Sequence, residues 1–101
     1  MAFNKLVRDK IPEIIKAKGE RPITRILNDE EYLVELNKKL QEEVQEYLTD
    51  QSMEELADIL EVIHGICAVK KTTFVGLEQL RKEKSEKRGG FSNKIFLERV
   101  E

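Results

Sequence analysis

A chain of 101 residues, 40% hydrophobic and 38% charged, has room for one domain and no second core. Its 18 Lys and Arg against 20 Asp and Glu give a net charge of -2, which argues against a nucleic-acid-binding module driven by bulk positive charge. No run approaches the roughly 20 apolar residues of a membrane span, positions 1–10 lack a signal-peptide core, and the lone Cys67 can form no intrachain disulfide, so a cytoplasmic protein that meets no membrane is expected.

Positions 5–12 are basic and mixed, and lead into a short helix over 12–18, because Pro suits a first helical turn and Gly19 a C-terminal stop. Positions 21–27 read as extended. Asn28 or Asp29 can cap a first long helix over 29–48. After a polar break at 49–52, Ser52 caps a second over 53–70, with Glu55 three residues on as in a capping box. Thr72 or Thr73 caps a third over 74–87, which Gly89-Gly90 ends. The tail, with Ile95, Phe96 and Leu97, is expected to pair as a short strand with 23–27. The architecture predicted is all-α, an antiparallel helical bundle with a short terminal β-pairing. On the second helix Leu56, Ile59, Leu60, Val62, Ile63, Ile66, Cys67 and Val69 spread over half the circumference, more than one neighbour can cover, so a homodimer is expected. Cys67, on that apolar arc, reads as a buried, inert thiol; His64, on the polar side, reads as exposed rather than as a ligand.

The chemistry lies in two acidic pairs, Glu43 and Glu46 before the break and Glu55 and Asp58 after it. In an antiparallel hairpin, residues whose numbers add to the same total lie side by side. A turn centred between Asp50 and Gln51 sets 46 beside 55 and 43 beside 58, while the spacing of three places each pair on one helix surface. Two such charges about 5 Å apart cost roughly 3 kcal/mol at an effective dielectric near 20, which protonation, nearby lysines or a hard cation must offset. Glu43 points within about 20° of Leu36, on the apolar arc formed with Tyr32, Leu33, Leu40, Val44, Tyr47 and Leu48. An ionised acid there needs a partner or a metal. Oxygen ligands without His or Cys favour magnesium, manganese or calcium over zinc.

Each motif alone is weak, since EExxE is common on solvated helices and Glu55 already has a role as a cap; it is the matched register that points to a metal. Glu42, Glu54 and Glu61 turn further outward. The third long helix begins apolar at Leu77 and turns basic through Arg81, Lys84 and Arg88, which makes Lys84 and Arg88 candidate phosphate ligands, with Arg8 and Lys10 next. Gly89 and Gly90 would let backbone N–H groups approach phosphate oxygens. The same residues also suit a solvated helix end and a C-cap turn.

The pairing of Glu42 to Glu46 with Glu55 to Asp58 resembles the all-α nucleoside triphosphate pyrophosphohydrolases of the MazG superfamily, which includes phosphoribosyl-ATP pyrophosphohydrolase and the dimeric dUTPases. Asn4-Lys5-Leu6-Val7-Arg8-Asp9-Lys10-Ile11-Pro12 and Lys84-Ser85-Glu86-Lys87-Arg88-Gly89-Gly90-Phe91 resemble its small house-cleaning branch, so the likeness spans nearly the whole chain and implies a single MazG-like domain over 1–101. It implies hydrolysis of a nucleoside triphosphate or phosphoribosyl-nucleotide between the α and β phosphates, releasing a monophosphate and pyrophosphate, with Mg2+ as cofactor and Mn2+ as a substitute. By motif, Glu43, Glu46, Glu55 and Asp58 take the metal positions, with Glu43 and Glu46 catalytic. Only eight residues separate Glu46 from Glu55, fewer than in most such enzymes, which leaves little room for a base-recognition loop. The competing expectation is a non-catalytic dimeric helical interaction module with the same fold. A calcium sensor is disfavoured, since no EF-hand loop is present.

Overall fold

The computed structural model describes residues 3–101. Four helices follow in order: α1 (Ile11–Ala17), α2 (Asp29–Asp50), α3 (Met53–Val69) and α4 (Phe74–Arg88). There is no strand among the described residues. α2 opens on a full capping box: Asn28 Oδ1 accepts the Glu31 N–H at 2.8 Å, and the Glu31 carboxylate accepts the Asn28 N–H. α2 runs two residues beyond the expected end because Gln51, left-handed at φ 54, closes it by donating its N–H to the Tyr47 carbonyl. Gln51 and Ser52 alone then separate α2 from α3.

So short a turn leaves the two helices no choice but to return antiparallel, and their long contact is the main packing of the chain. Leu36 and Gly65 meet in the register expected from the turn. A Cβ built on Gly65 would lie 3.0 Å from Leu36 Cδ2 and 3.2 Å from the Tyr32 hydroxyl, so glycine is what lets the helices close there. Leu36, Val62 and Cys67 are the buried apolar residues. Gly65→Leu is expected to cost at least about 1–3 kcal/mol by overpacking against Leu36; a urea midpoint equal to the parent's would show that the contact does not limit closure.

α4 is capped by Thr73, whose hydroxyl accepts the Gly76 N–H at 2.9 Å, and ends at Gly89, φ 81. It rests on α3 through Phe74, whose ring stacks on His64 with centroids 4.1 Å apart. His64 is therefore exposed, as expected, but serves the helix joint. α1 makes no close contact with another helix.

The expected β-pairing does not form. Ile23 and Ile26 are 81% and 96% exposed, and Ile95, Phe96 and Leu97 are exposed too. A two-stranded ribbon is marginal without a third strand or a helix against its face, and neither segment finds one.

One chain also leaves its bundle open. A folded monomer of 11.8 kDa exposes about 5,900 Å², yet this chain exposes 9467 Å². Its radius of gyration is 18.0 Å, where about 13 Å suits a compact chain of this length. No helix is long and apolar enough to cross a membrane.

Candidate metal centre

The acidic pairs converge where α2 and α3 approach their shared turn. Glu43, Glu55 and Asp58 each offer a carboxylate oxygen, and the three atoms lie within 4.8 Å of one another. Glu43, 6% exposed, is the buried charged residue of the described chain. One of its oxygens lies 3.4 Å from Lys39 Nζ, which also reaches Glu42. The other, Oε2, is buried without any hydrogen-bond partner, and so is Oε2 of Glu55.

Glu55 settles between its two possible roles. Ser52 Oγ accepts the Glu55 N–H at 3.3 Å, so the backbone half of the cap exists. The reciprocal half, which Glu31 completes on α2, is missing on α3. The Glu55 carboxylate is left free to turn toward Glu43 and Asp58, and capping does not account for it.

The electrostatics follow from this crowding. Burial pushes the Glu43 carboxyl above the ordinary glutamate range, the neighbouring Glu46 raises it further, and Lys39 opposes both. Glu55 is pushed up to about 7, first by burial, then by the neighbouring Glu46, and then by the charges of Glu43 and Asp58. Stray surface acids do not behave this way. Carboxylates so crowded favour the protonated form, and Lys39 on Glu43 and Arg8 on Asp58 offset their charge only in part. Three converging carboxylates, two of which carry a buried oxygen without a partner, form an all-oxygen donor set that fits a hard divalent cation such as magnesium or manganese.

Glu46 stands apart from the other three. It is exposed and lies outside the tight triad, though close enough to raise both Glu43 and Glu55. Glu42 is held by Lys39 at 3.5 Å, while Glu54 and Glu61 are exposed.

Of the expected phosphate ligands, Arg8 is brought to the centre, but onto a carboxylate: its guanidinium donates to Asp58 Oδ1 at 2.7 Å. Lys10, Lys84 and Arg88 are exposed and make no ion pair among the described residues. Gly89 and Gly90 have no neighbouring group within 4 Å of where a side chain would start. Nearby lysines are an expected offset to the acidic repulsion, and Lys39, four residues before Glu43, is the one that serves, a legible helical pair.

No family model matches the chain, and no solved structure matches it. An uncharacterized protein of Mycolicibacterium smegmatis is 56% identical over 41 residues, which is 41% of this chain and 42% of that protein. The match thus spans less than half the length of that relative.

Proposed function

We propose that the protein is a magnesium-dependent nucleotide pyrophosphohydrolase of MazG type, cleaving between the α and β phosphates of a nucleoside triphosphate or phosphoribosyl-nucleotide, and acting in the cytoplasm on modified nucleotides. The observation that carries the proposal is the triad of Glu43, Glu55 and Asp58, with buried oxygens on Glu43 and Glu55 that no protein donor satisfies. The sequence resemblance supplies the reaction.

Glu43, Glu55 and Asp58 would hold the cation. When bound, it would supply neutralisation of phosphate oxygens and a lowered pKa for a coordinated water. Glu46, exposed beside the triad, would accept the proton of an attacking water, and Lys84 and Arg88 of α4 would bind phosphate oxygens. The decisive experiment is a nucleotide panel assayed for pyrophosphate release with Mg2+ or Mn2+. Release from at least one nucleotide, abolished by chelation, is expected; none with either metal would overturn the enzyme assignment and favour the non-catalytic interaction module.

A second copy of the chain is part of the proposal. The surface excess is about 3,500 Å² over a compact monomer, and Val34, Val44, Leu48, Met53 and Leu60 are exposed along the α2–α3 hairpin. Interfaces of obligate dimers total about 2,000–5,000 Å² over both chains, so a dimer seam would cover part of this excess. Light scattering at micromolar concentration is expected to give about twice the chain mass, and a monomer there would refute the dimer.

A further inference from the structure

We propose that Arg8 is a resident counter-cation of the acidic centre: its guanidinium stays on Asp58 in the metal-free protein and leaves when a divalent cation occupies the site, freeing the N-terminal segment as it goes. The proposal rests on the metal-centre assignment above and adds its regulation.

The contact joins distant parts of the chain. Asn4, Lys5 and Leu6 line a shallow depression of about 200 Å³ with Glu35, Lys38, Lys39 and Glu42 of α2, so the segment lies across the hairpin. Two residues on, Arg8 reaches Asp58 on α3. α1 follows without close contact to any other helix. The Arg8 pair is therefore a principal tie between the segment and α3.

Three features make this pair exchangeable rather than fixed. Its side chains are 57% and 39% exposed, the regime in which an ion pair contributes little to stability and is readily replaced. The guanidinium satisfies only Asp58, at the rim, and leaves Glu43 Oε2 and Glu55 Oε2 without partners. A small cation with oxygen ligands at about 2.0–2.6 Å can take one oxygen from each of the three carboxylates, whereas the guanidinium contacts Asp58 alone. Finally, the Arg8 guanidinium is cationic, so a divalent cation at Asp58 would repel it. Displaced from Asp58, the fork is free for phosphate, which it binds in the same bidentate manner as carboxylate.

Mn2+ binding to the parent, Arg8→Ala and Arg8→Lys, followed by the spin-resonance signal of free Mn2+, tests the exchange without an activity assay. Arg8→Ala is expected to bind Mn2+ about two- to fivefold more tightly, since no pair has to be broken, with Arg8→Lys between it and the parent. Trypsin supplies the second readout. Saturating Mn2+ is expected to speed cleavage of the parent after Lys5, Arg8 and Lys10 severalfold, while slowing it after Lys38 and Lys39 within α2. Failure of the parent to bind Mn2+ would overturn the metal centre itself. Binding that is unchanged or weaker in Arg8→Ala, or N-terminal cleavage that Mn2+ leaves unchanged or slows, would overturn the exchange and leave the metal centre standing.

Discussion

Glu43→Gln is expected to abolish magnesium-dependent pyrophosphate release while leaving the metal-free protein as stable as the parent or more so. The two effects have opposite origins in one side chain. Glu43 is 6% exposed, its Oε2 has no partner, and its nearest cation, Lys39, is shared with Glu42. Replacing the carboxylate by an amide of the same shape removes a charge that repels Glu46, Glu55 and Asp58, and adds an N–H donor that those carboxylates can accept from. The loss of the Lys39 pair works against this only partly, because Lys39 keeps Glu42. With metal the balance reverses. The site loses an anionic ligand, and since even outer-shell partners of a metal are worth about 10–100-fold, loss of a direct ligand is expected to exceed about a hundredfold in activity. The rise in melting temperature that saturating Mg2+ or Mn2+ gives the parent is expected to shrink accordingly. Melts of both proteins with and without metal decide the matter: equal metal-induced shifts with activity retained would remove Glu43 from the site.

How far the sequence carried depended on the range of the interactions involved. The starts of α2, α3 and α4 and the end of α4 were legible because capping is local: Asn28, Ser52, Thr73 and Gly89 each act within four residues. The facing of Glu43 with Asp58 was legible because a two-residue turn permits a single antiparallel register, which Leu36 and Gly65 also obey. Two features were not. The Arg8–Asp58 pair joins positions fifty apart through a segment without periodicity, and nothing in its spacing announces a partner. The tail of Ile95, Phe96 and Leu97 carries a strand-like pattern, yet a pattern describes a surface seeking cover, not where cover lies, and within one chain the tail finds none. Glu46 shows the limit of angular counting. Expected as both a metal ligand and a catalytic residue, it is exposed and lies outside the compact triad of Glu43, Glu55 and Asp58.

The metal-free protein is expected to be more stable near pH 5 than near pH 8, the reverse of a protein held together by ionised carboxylates. Glu55 titrates at about 7 in the folded chain against an ordinary value of 4.5, and Glu43 shifts in the same direction, both because burial and neighbouring acids disfavour the charged form. A group whose folded pKa lies above its unfolded one binds more protons when folded, so stability falls as pH rises between the two values. For Glu55 that window runs from about 4.5 to about 7, and its favourable contribution is whole only below it. Glu31 and Glu78 do not blur the result: their pKa values are lowered by Asn28 and Arg25 and by Arg81 respectively, so their stabilisation is lost only below the ordinary glutamate value. Protons and metal compete for the same oxygens, so saturating Mg2+ is expected to raise the melting temperature more near pH 8 than near pH 5, flattening the profile. Glu55→Gln, which cannot ionise, should flatten it without metal. Melting temperatures of metal-free parent and variant across this range settle the sign: a parent that becomes more stable as pH rises from about 5 to about 8 would mean that its acidic cluster is already neutralised by the protein, and that no cation is called for.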